Sequence, residues 1–172
     1  MALCLLSSAA SADQTDSRLG DLFRELRGAA DPVMASRPQN AIWSIWIETE
    51  DAEAQALMAA GIAALEARDF KRALAVYDLL VAQHPGYAEA WNKRATVHYL
   101  VGDYAASLAD IERTLALEPR HFGALSGRGL IQEAQGDDLA AIGSFQAALE
   151  IHPNLVSVRR NLAALLARQK PI

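Results

Sequence analysis

Three prolines, Pro85, Pro119 and Pro153, recur at a fixed stride of 34 residues, and each closes a similar block of sequence. In the middle block Trp91 and Ala95 lead to the turn Gly102-Asp103-Tyr104, followed by Ser107, Ile111 and Pro119. In the last, Leu125 and Gly129 lead to Gly136-Asp137-Asp138, then Ala141, Phe145, Ala148 and Pro153. In the first, Leu57 and Gly61 lead to Arg68-Asp69-Phe70, then Ala73, Tyr77 and Pro85. A proline cannot continue a helix and pushes the residue before it out of the α region, so each one marks a helix end. The apolar spacing on either side of each turn is helical, which predicts six helices near 53–66, 70–83, 87–100, 104–117, 121–134 and 138–151.

Position by position the pattern has a physical reading. Gly61, Ala95 and Gly129 are small so that the first helix of a block can lie close to the second. Ala73, Ser107 and Ala141 supply the matching small surface, and Tyr77, Ile111 and Phe145 fill the space between one hairpin and the next. The Gly-Asp pairs end one helix in the left-handed region and start another. A 34-residue period with two helices per block resembles the tetratricopeptide repeat (TPR), over residues 54–155. Thr114 and Leu80 stand where that family has alanine, and Arg68 replaces a turn glycine. The resemblance implies an all-α, right-handed superhelix of three helical hairpins, with repeats at 54–87, 88–121 and 122–155.

The remaining chain is read around that stack. Residues 1–12 are an uncharged apolar run ending in Ala10-Ser11-Ala12, which resembles the core and cleavage site of a secretory signal, although no Lys or Arg precedes it. Cleavage after Ala12 would remove Cys4, the only cysteine, so no internal disulfide and no cysteine-based zinc site is expected. Residues 13–52 form an N-terminal helical cap. Leu19, Leu22, Phe23 and Leu26 mark one amphipathic helix, ended by Asp31-Pro32, and Gln39–Ile47 forms a second. Two readings of this hairpin stand open. Either Trp43 and Trp46 bury against the first repeat, or the Trp-rich helix presents an apolar patch to a partner or another copy. Residues 156–172 form a capping helix and tail, with Leu162, Leu165 and Leu166 on one side of Val156–Arg168 and a polar outer face.

Several functions are disfavoured. The net charge of −5 has no basic cluster against it, which argues against nucleic-acid binding. No run of some 20 apolar residues is present, so stable membrane insertion is not expected. No G-x-S-x-G, P-loop, G-x-G-x-x-G or H-E-x-x-H motif occurs, and His84, His98, His121 and His152 are scattered. No catalysis, cofactor or metal is expected. What remains is a surface. The resemblance places on the concave face Met58 and Ile62 from the first repeat, Glu89, Asn92, Lys93, Thr96 and Tyr99 from the second, and Ser126, Leu130 and Glu133 from the third. Gln55, Ala59, Leu65, Glu66, Leu100, Gly123, Gly127 and Ala134 complete that lining. TPR domains that grip acidic chaperone tails use Lys, Asn and Arg there. Here the corresponding positions are Met58, Ile62, Lys93, Gly123 and Gly127, so that grip is not expected. The expected function is a protein-interaction module that takes a peptide or partner protein in its groove, in an exported, periplasmic setting of envelope assembly or scaffolding. The alternative is a homo-oligomeric structural protein that pairs through the Trp43/Trp46 helix or a stack end.

Overall fold

The computed structural model describes residues 14–169. The expectations for residues 1–12, including the signal-like run and Cys4, fall outside them. The described residues form nine α-helices and no strand: α1 Arg18–Gly28, α2 Pro32–Ile47, α3 Ala52–Glu66, α4 Phe70–Gln83, α5 Ala88–Val101, α6 Tyr104–Leu117, α7 Phe122–Ala134, α8 Asp138–Ile151 and α9 Val156–Arg168. The six helices expected from the 34-residue period fall within one residue of their observed ends.

The same devices build each hairpin. Asp69, Asp103 and Asp137 cap α4, α6 and α8 by accepting a hydrogen bond from the backbone N–H three residues on, at 3.1 Å in each case. Ahead of each cap the chain passes through the left-handed region at Arg68 (φ 58°), Gly102 (84°) and Gly136 (80°). At the other end, the N–H of Tyr87, His121 and Leu155 closes a turn onto the carbonyl three residues back, with the repeat proline at its second position. Close approach within a hairpin explains the small residues. A Cβ at Gly61 would stand 2.5 Å from the Tyr77 ring, and one at Gly129 would stand 2.5 Å from Phe145. In the middle hairpin the volumes are exchanged, with Ala95 and Ile111 sharing one core. These large residues therefore fill their own hairpin as well as the gap to the next.

A charged ladder ties consecutive hairpins together. Arg94 on α5 forms a bidentate pair with buried Asp110 of its own hairpin (2.8 and 2.7 Å) and reaches Asp78 of the previous one at 2.9 Å. One repeat later Arg128 makes the equivalent contacts, 3.0 Å to Ser144 and 3.4 Å to Glu112.

The N-terminal hairpin differs from expectation in two ways. Its second helix begins at Pro32, seven residues before Gln39, because Asp31 serves as an N-cap (Met34 N–H to Asp31 Oδ1, 2.9 Å) with Pro32 in the first turn. Trp43 and Trp46 do not pack on the first repeat. Trp46, 1% exposed, stacks on His121 at 4.2 Å and meets Phe122 at 5.2 Å, both at the start of α7. Trp46 is therefore not presented to a partner. The hairpin runs along the turns between repeats instead. Gln14 Nε2 donates to the Gly86 carbonyl (2.9 Å), the Tyr87 hydroxyl to the Ile47 carbonyl (2.5 Å), and Asn154 Nδ2 to the Ala29 carbonyl (2.7 Å). Arg120 lies over the Phe23 ring at 4.4 Å. At the far end, α9 buries Val158 and Leu165 but leaves Leu166 44% exposed, so Leu166 is not on the buried side as expected. No helix among the described residues is long and apolar enough to cross a membrane.

Candidate functional site

Between α5 and α7, over α6, lies a hollow of about 310 Å³. Eight of the residues expected on the concave face line it: Asn92, Thr96, Tyr99, Leu100, Gly123, Ser126, Gly127 and Leu130. Its floor is Ala95, Ser107, Ile111, Ala124 and Ile131. Tyr99 is held by stacking on Tyr104, with ring centres 5.7 Å apart. The Thr96 and Ser126 hydroxyls donate to the carbonyls of Asn92 (2.9 Å) and Phe122 (2.6 Å), four residues back in their own helices. What these hydroxyls offer the hollow is therefore acceptor capacity.

Five of the others, Met58, Ile62, Glu89, Lys93 and Glu133, have different surroundings. Met58 is 2% exposed in the first-repeat core, and Ile62 packs against the same core. Glu133 accepts from Arg168 at 2.9 Å, which ties α9 to α7. Glu89 and Lys93 belong to a polar cluster beneath the N-terminal hairpin. Glu89, 1% exposed, accepts from Asn92 Nδ2 at 3.1 Å and from His121 Nε2 at 2.9 Å, and Lys93 Nζ stands 3.1 Å from its other oxygen. His121 Nδ1 accepts the Ala124 N–H at 3.0 Å, which assigns the ring proton to Nε2 and makes it the donor to Glu89. Burial pushes the Glu89 carboxyl up. The hydrogen bond from His121 and the ammonium of Lys93 more than offset this, so it is held below the ordinary carboxylate range. Tyr77 and Tyr87 are pushed up by burial and by the nearby Glu89 charge.

Asn92 is consequently both a wall of the hollow and a structural donor to a buried carboxylate. Sequence reading assigned it the first role alone. The cluster carried a legible signal, because Glu89 and Lys93 stand four apart on one helix face. The Arg94/Arg128 ladder carried another, since Asp78/Glu112, Arg94/Arg128 and Asp110/Ser144 are all 34 residues apart. His121 as the helix cap under Trp46 left no such trace.

Models of the tetratricopeptide repeat family match residues 60–121 and 92–155. A TPR repeat-containing protein of Rhizobium etli is 39% identical over 136 residues, covering 79% of this chain and 67% of that protein. Tetratricopeptide repeat protein 36 of Bos taurus is 36% identical over 103 residues, covering 58% of this chain and 55% of its own length. Among solved structures, the first TPR of Spaghetti (RPAP3) bound to the HSP90 peptide SRMEEVD superposes with a TM-score of 0.65 at 20% identity, over 67% of this chain and 92% of that one. The TPR2B domain of yeast Sti1 in its Hsp70 complex gives 0.64 at 15% identity, over 69% of this chain and all of that one.

Proposed function

Because this chain belongs to the tetratricopeptide repeat family, we propose that it is a non-enzymatic interaction module that receives a segment of a partner protein in the hollow between α5 and α7. The observation that carries this reading is the hollow itself. It is concave and largely apolar, and a few polar groups (Asn92, Thr96, Ser126) converge on it, which is the general form of a ligand site. Of the solved structures of the same fold, the first TPR of Spaghetti (RPAP3) is bound to the HSP90 peptide SRMEEVD. In this chain the carboxylate grip is absent, because Gly123 and Gly127 stand at two of its positions and Lys93 is paired with Glu89. The repeats divide at 54–87, 88–121 and 122–155. A periplasmic role in envelope assembly or scaffolding rests on the signal-like run at residues 1–12.

Affinity capture from envelope extract tests the reading. Thr96→Arg and Leu130→Arg both place a long charged side chain at the hollow, from an exposed and a half-buried position respectively. Partners held by the wild type are expected to be lost from both variants while the melting temperature stays within about 2 °C, a shift equivalent to about 0.5–1 kcal/mol. Equal recovery of the same partners by wild type and both variants would remove the hollow from the function.

A further inference from the structure

The concave face is not all open, and what closes part of it comes from this chain. Trp43, on α2, has its Cη2 atom 2.8 Å and its Cζ2 atom 3.2 Å from where a Cβ at position 123 would stand. Only a glycine leaves room for the ring. The ring also meets His121 and Phe122 edge-on at 5.4 Å each, and the Lys93 ammonium lies 5.5 Å from its centre. Gly123, Lys93 and Glu89 are inward-facing positions of a bare stack, and here all three are engaged by the hairpin or by the charge cluster beneath it. The Lys93 charge is divided between the Glu89 carboxylate at 3.1 Å and the indole face.

The space beyond Trp43 has a definite chemistry. None of its lining side chains is charged. Its walls carry Tyr99, Leu100 and Leu130, and Ile111 and Ile131 lie in its floor. The Thr96 and Ser126 protons are committed to backbone carbonyls, so these hydroxyls can only accept. A carboxylate would enter without a cation and meet two hydroxyls that can only accept, with no more than the second Asn92 N–H and the Tyr99 hydroxyl left to donate to it. A neutral group carrying an N–H would find apolar walls and a partner for its hydrogen. At about 310 Å³ the hollow is at the lower end of ligand pockets, which suits one large side chain better than a length of extended peptide.

We propose that Trp43 is a built-in wall of the concave face, and that it confines the partner to one bulky, uncharged apolar side chain inserted between Thr96, Tyr99 and Leu130. The proposal rests on the interaction-module reading and specifies its ligand. The wall works against an extended acidic tail by occupying two of the positions where the family resemblance puts the gripping side chains, Lys93 and Gly123.

The test is a titration of the full ¹⁵N-labelled chain, followed by amide and indole chemical shifts, with two probes. N-acetyltryptophanamide supplies a single neutral apolar side chain with N–H donors, and the heptapeptide SRMEEVD supplies an acidic tail. N-acetyltryptophanamide is expected to bind saturably, with a Kd on the order of 1–10 mM for so small a ligand. It should shift Thr96, Tyr99, Gly127 and Leu130 while the Trp43 indole N–H stays in place. SRMEEVD at the same concentration should shift none of them. In Trp43→Ala, and independently in Gly123→Ala, which unseats the ring from the other side, the footprint is expected to spread to Glu89 and Lys93, which lie outside the wild-type hollow. Saturable binding of SRMEEVD at Lys93 and Asn92 of the wild type would overturn the proposal. So would displacement of the Trp43 signal by either probe, the absence of saturable shifts with N-acetyltryptophanamide, or an unchanged footprint in both variants. If any of these occurs while Thr96→Arg still loses its captured partners, the wall fails and the interaction-module reading stands. If Thr96→Arg keeps its partners, it is the module reading that fails.

Discussion

Residues 52–151 and residues 18–47 are both helical and both bury large aromatic side chains, but they are held together on opposite plans. In the first region most devices recur: an aspartate cap on each second helix, a small residue under a large one, an arginine bridging two hairpins. In the second, each contact occurs once: Trp46 on His121, Arg120 over Phe23, Gln39 against His152 at 2.7 Å. These unique contacts nevertheless land on equivalent places, the inter-repeat turns at Gly86-Tyr87, Arg120-His121 and His152-Asn154. A repeat stack on its own couples only nearest neighbours. The hairpin touches all three turns, so it couples repeats that do not otherwise meet. Repetition spreads stability over many equal sites, whereas the hairpin concentrates it in a few.

The sharpest way to break that contrast is at Trp46. It is 1% exposed among Phe23, Phe122 and His121, so Trp46→Ala is expected to cost about 3–5 kcal/mol. It should also uncouple the repeats. Urea unfolding should broaden, with a lower apparent m-value, and hydrogen exchange should separate α7–α9 from α3–α4. A single sharp transition at reduced midpoint would mean that the stack is cooperative without the hairpin.

The two arginines of the ladder test whether repeated sites are really equal. Arg94 neutralises Asp110, which is 3% exposed, whereas Arg128 meets the neutral Ser144 at the same place. Removing Arg94 leaves a buried carboxylate without its main partner. Arg94→Ala is therefore expected to cost about 2–3 kcal/mol and Arg128→Ala about 1 kcal/mol, both by urea denaturation. Equal losses would show that position in the repeat, rather than local chemistry, sets the energy.

How much of this was legible follows the same division. Helix ends at 83, 117 and 151 were readable because a proline stands two residues beyond each, and the end at 66 followed from the same period although Arg68 replaces the turn glycine. The start of α2 was not, since Asp-Pro can end one helix or begin the next; here Asp31 caps the helix that follows, with Pro32 in its first turn. The site was half readable. The repeat pattern tells which side chains face inward in a bare stack, and so identified Thr96, Tyr99 and Leu130 around the hollow. It carries no information about an appended hairpin, and so could not tell that Glu89 and Lys93 are covered. Met58 is lost to the core because it is packed with Tyr77 and Tyr87. Trp43 seated on Gly123 was invisible because 80 residues separate a ring from the space that fits it.

His152 reports on the hairpin through pH. It is 1% exposed beside Gln39, and burial lowers its pKa to about 4, whereas the equivalent His84 is only half-buried. The unfolded chain takes up this proton near pH 6.5, and the folded chain does not until about pH 4. The contribution to stability is therefore complete above pH 6.5 and falls away as the pH drops toward 4. On the order of 2 kcal/mol should be lost between pH 7 and 4.5, and His152→Gln should remove most of that slope. Glu89 acts in a lower window, because a carboxyl held below its ordinary range destabilises only as it becomes protonated. A His152→Gln variant with the wild-type slope would place the titration elsewhere.

The smallest effect belongs to the most repeated element, the turn within each hairpin. Arg68, Gly102 and Gly136 share one left-handed conformation and the same backbone bond from the following aspartate, 2.9 Å in all three. A Cβ at Gly102 or Gly136 would touch nothing within 4 Å, so the cost of a side chain there is conformational alone. A non-glycine residue in that region costs about 1–2 kcal/mol, and glycine gives back about 0.5–1 kcal/mol through the greater freedom of the unfolded chain. Arg68 also loses a weak contact with Phe70, whose ring centre is 5.9 Å from its guanidinium. Arg68→Gly should therefore stabilise by no more than about 0.5 kcal/mol, while Gly102→Ala and Gly136→Ala should each destabilise by about 1 kcal/mol. If Arg68→Gly instead lowered stability by about 1 kcal/mol or more, the first turn would depend on its side chain, as the hairpin contacts do, and the boundary between the two regions would have to move from residue 52 to beyond residue 70.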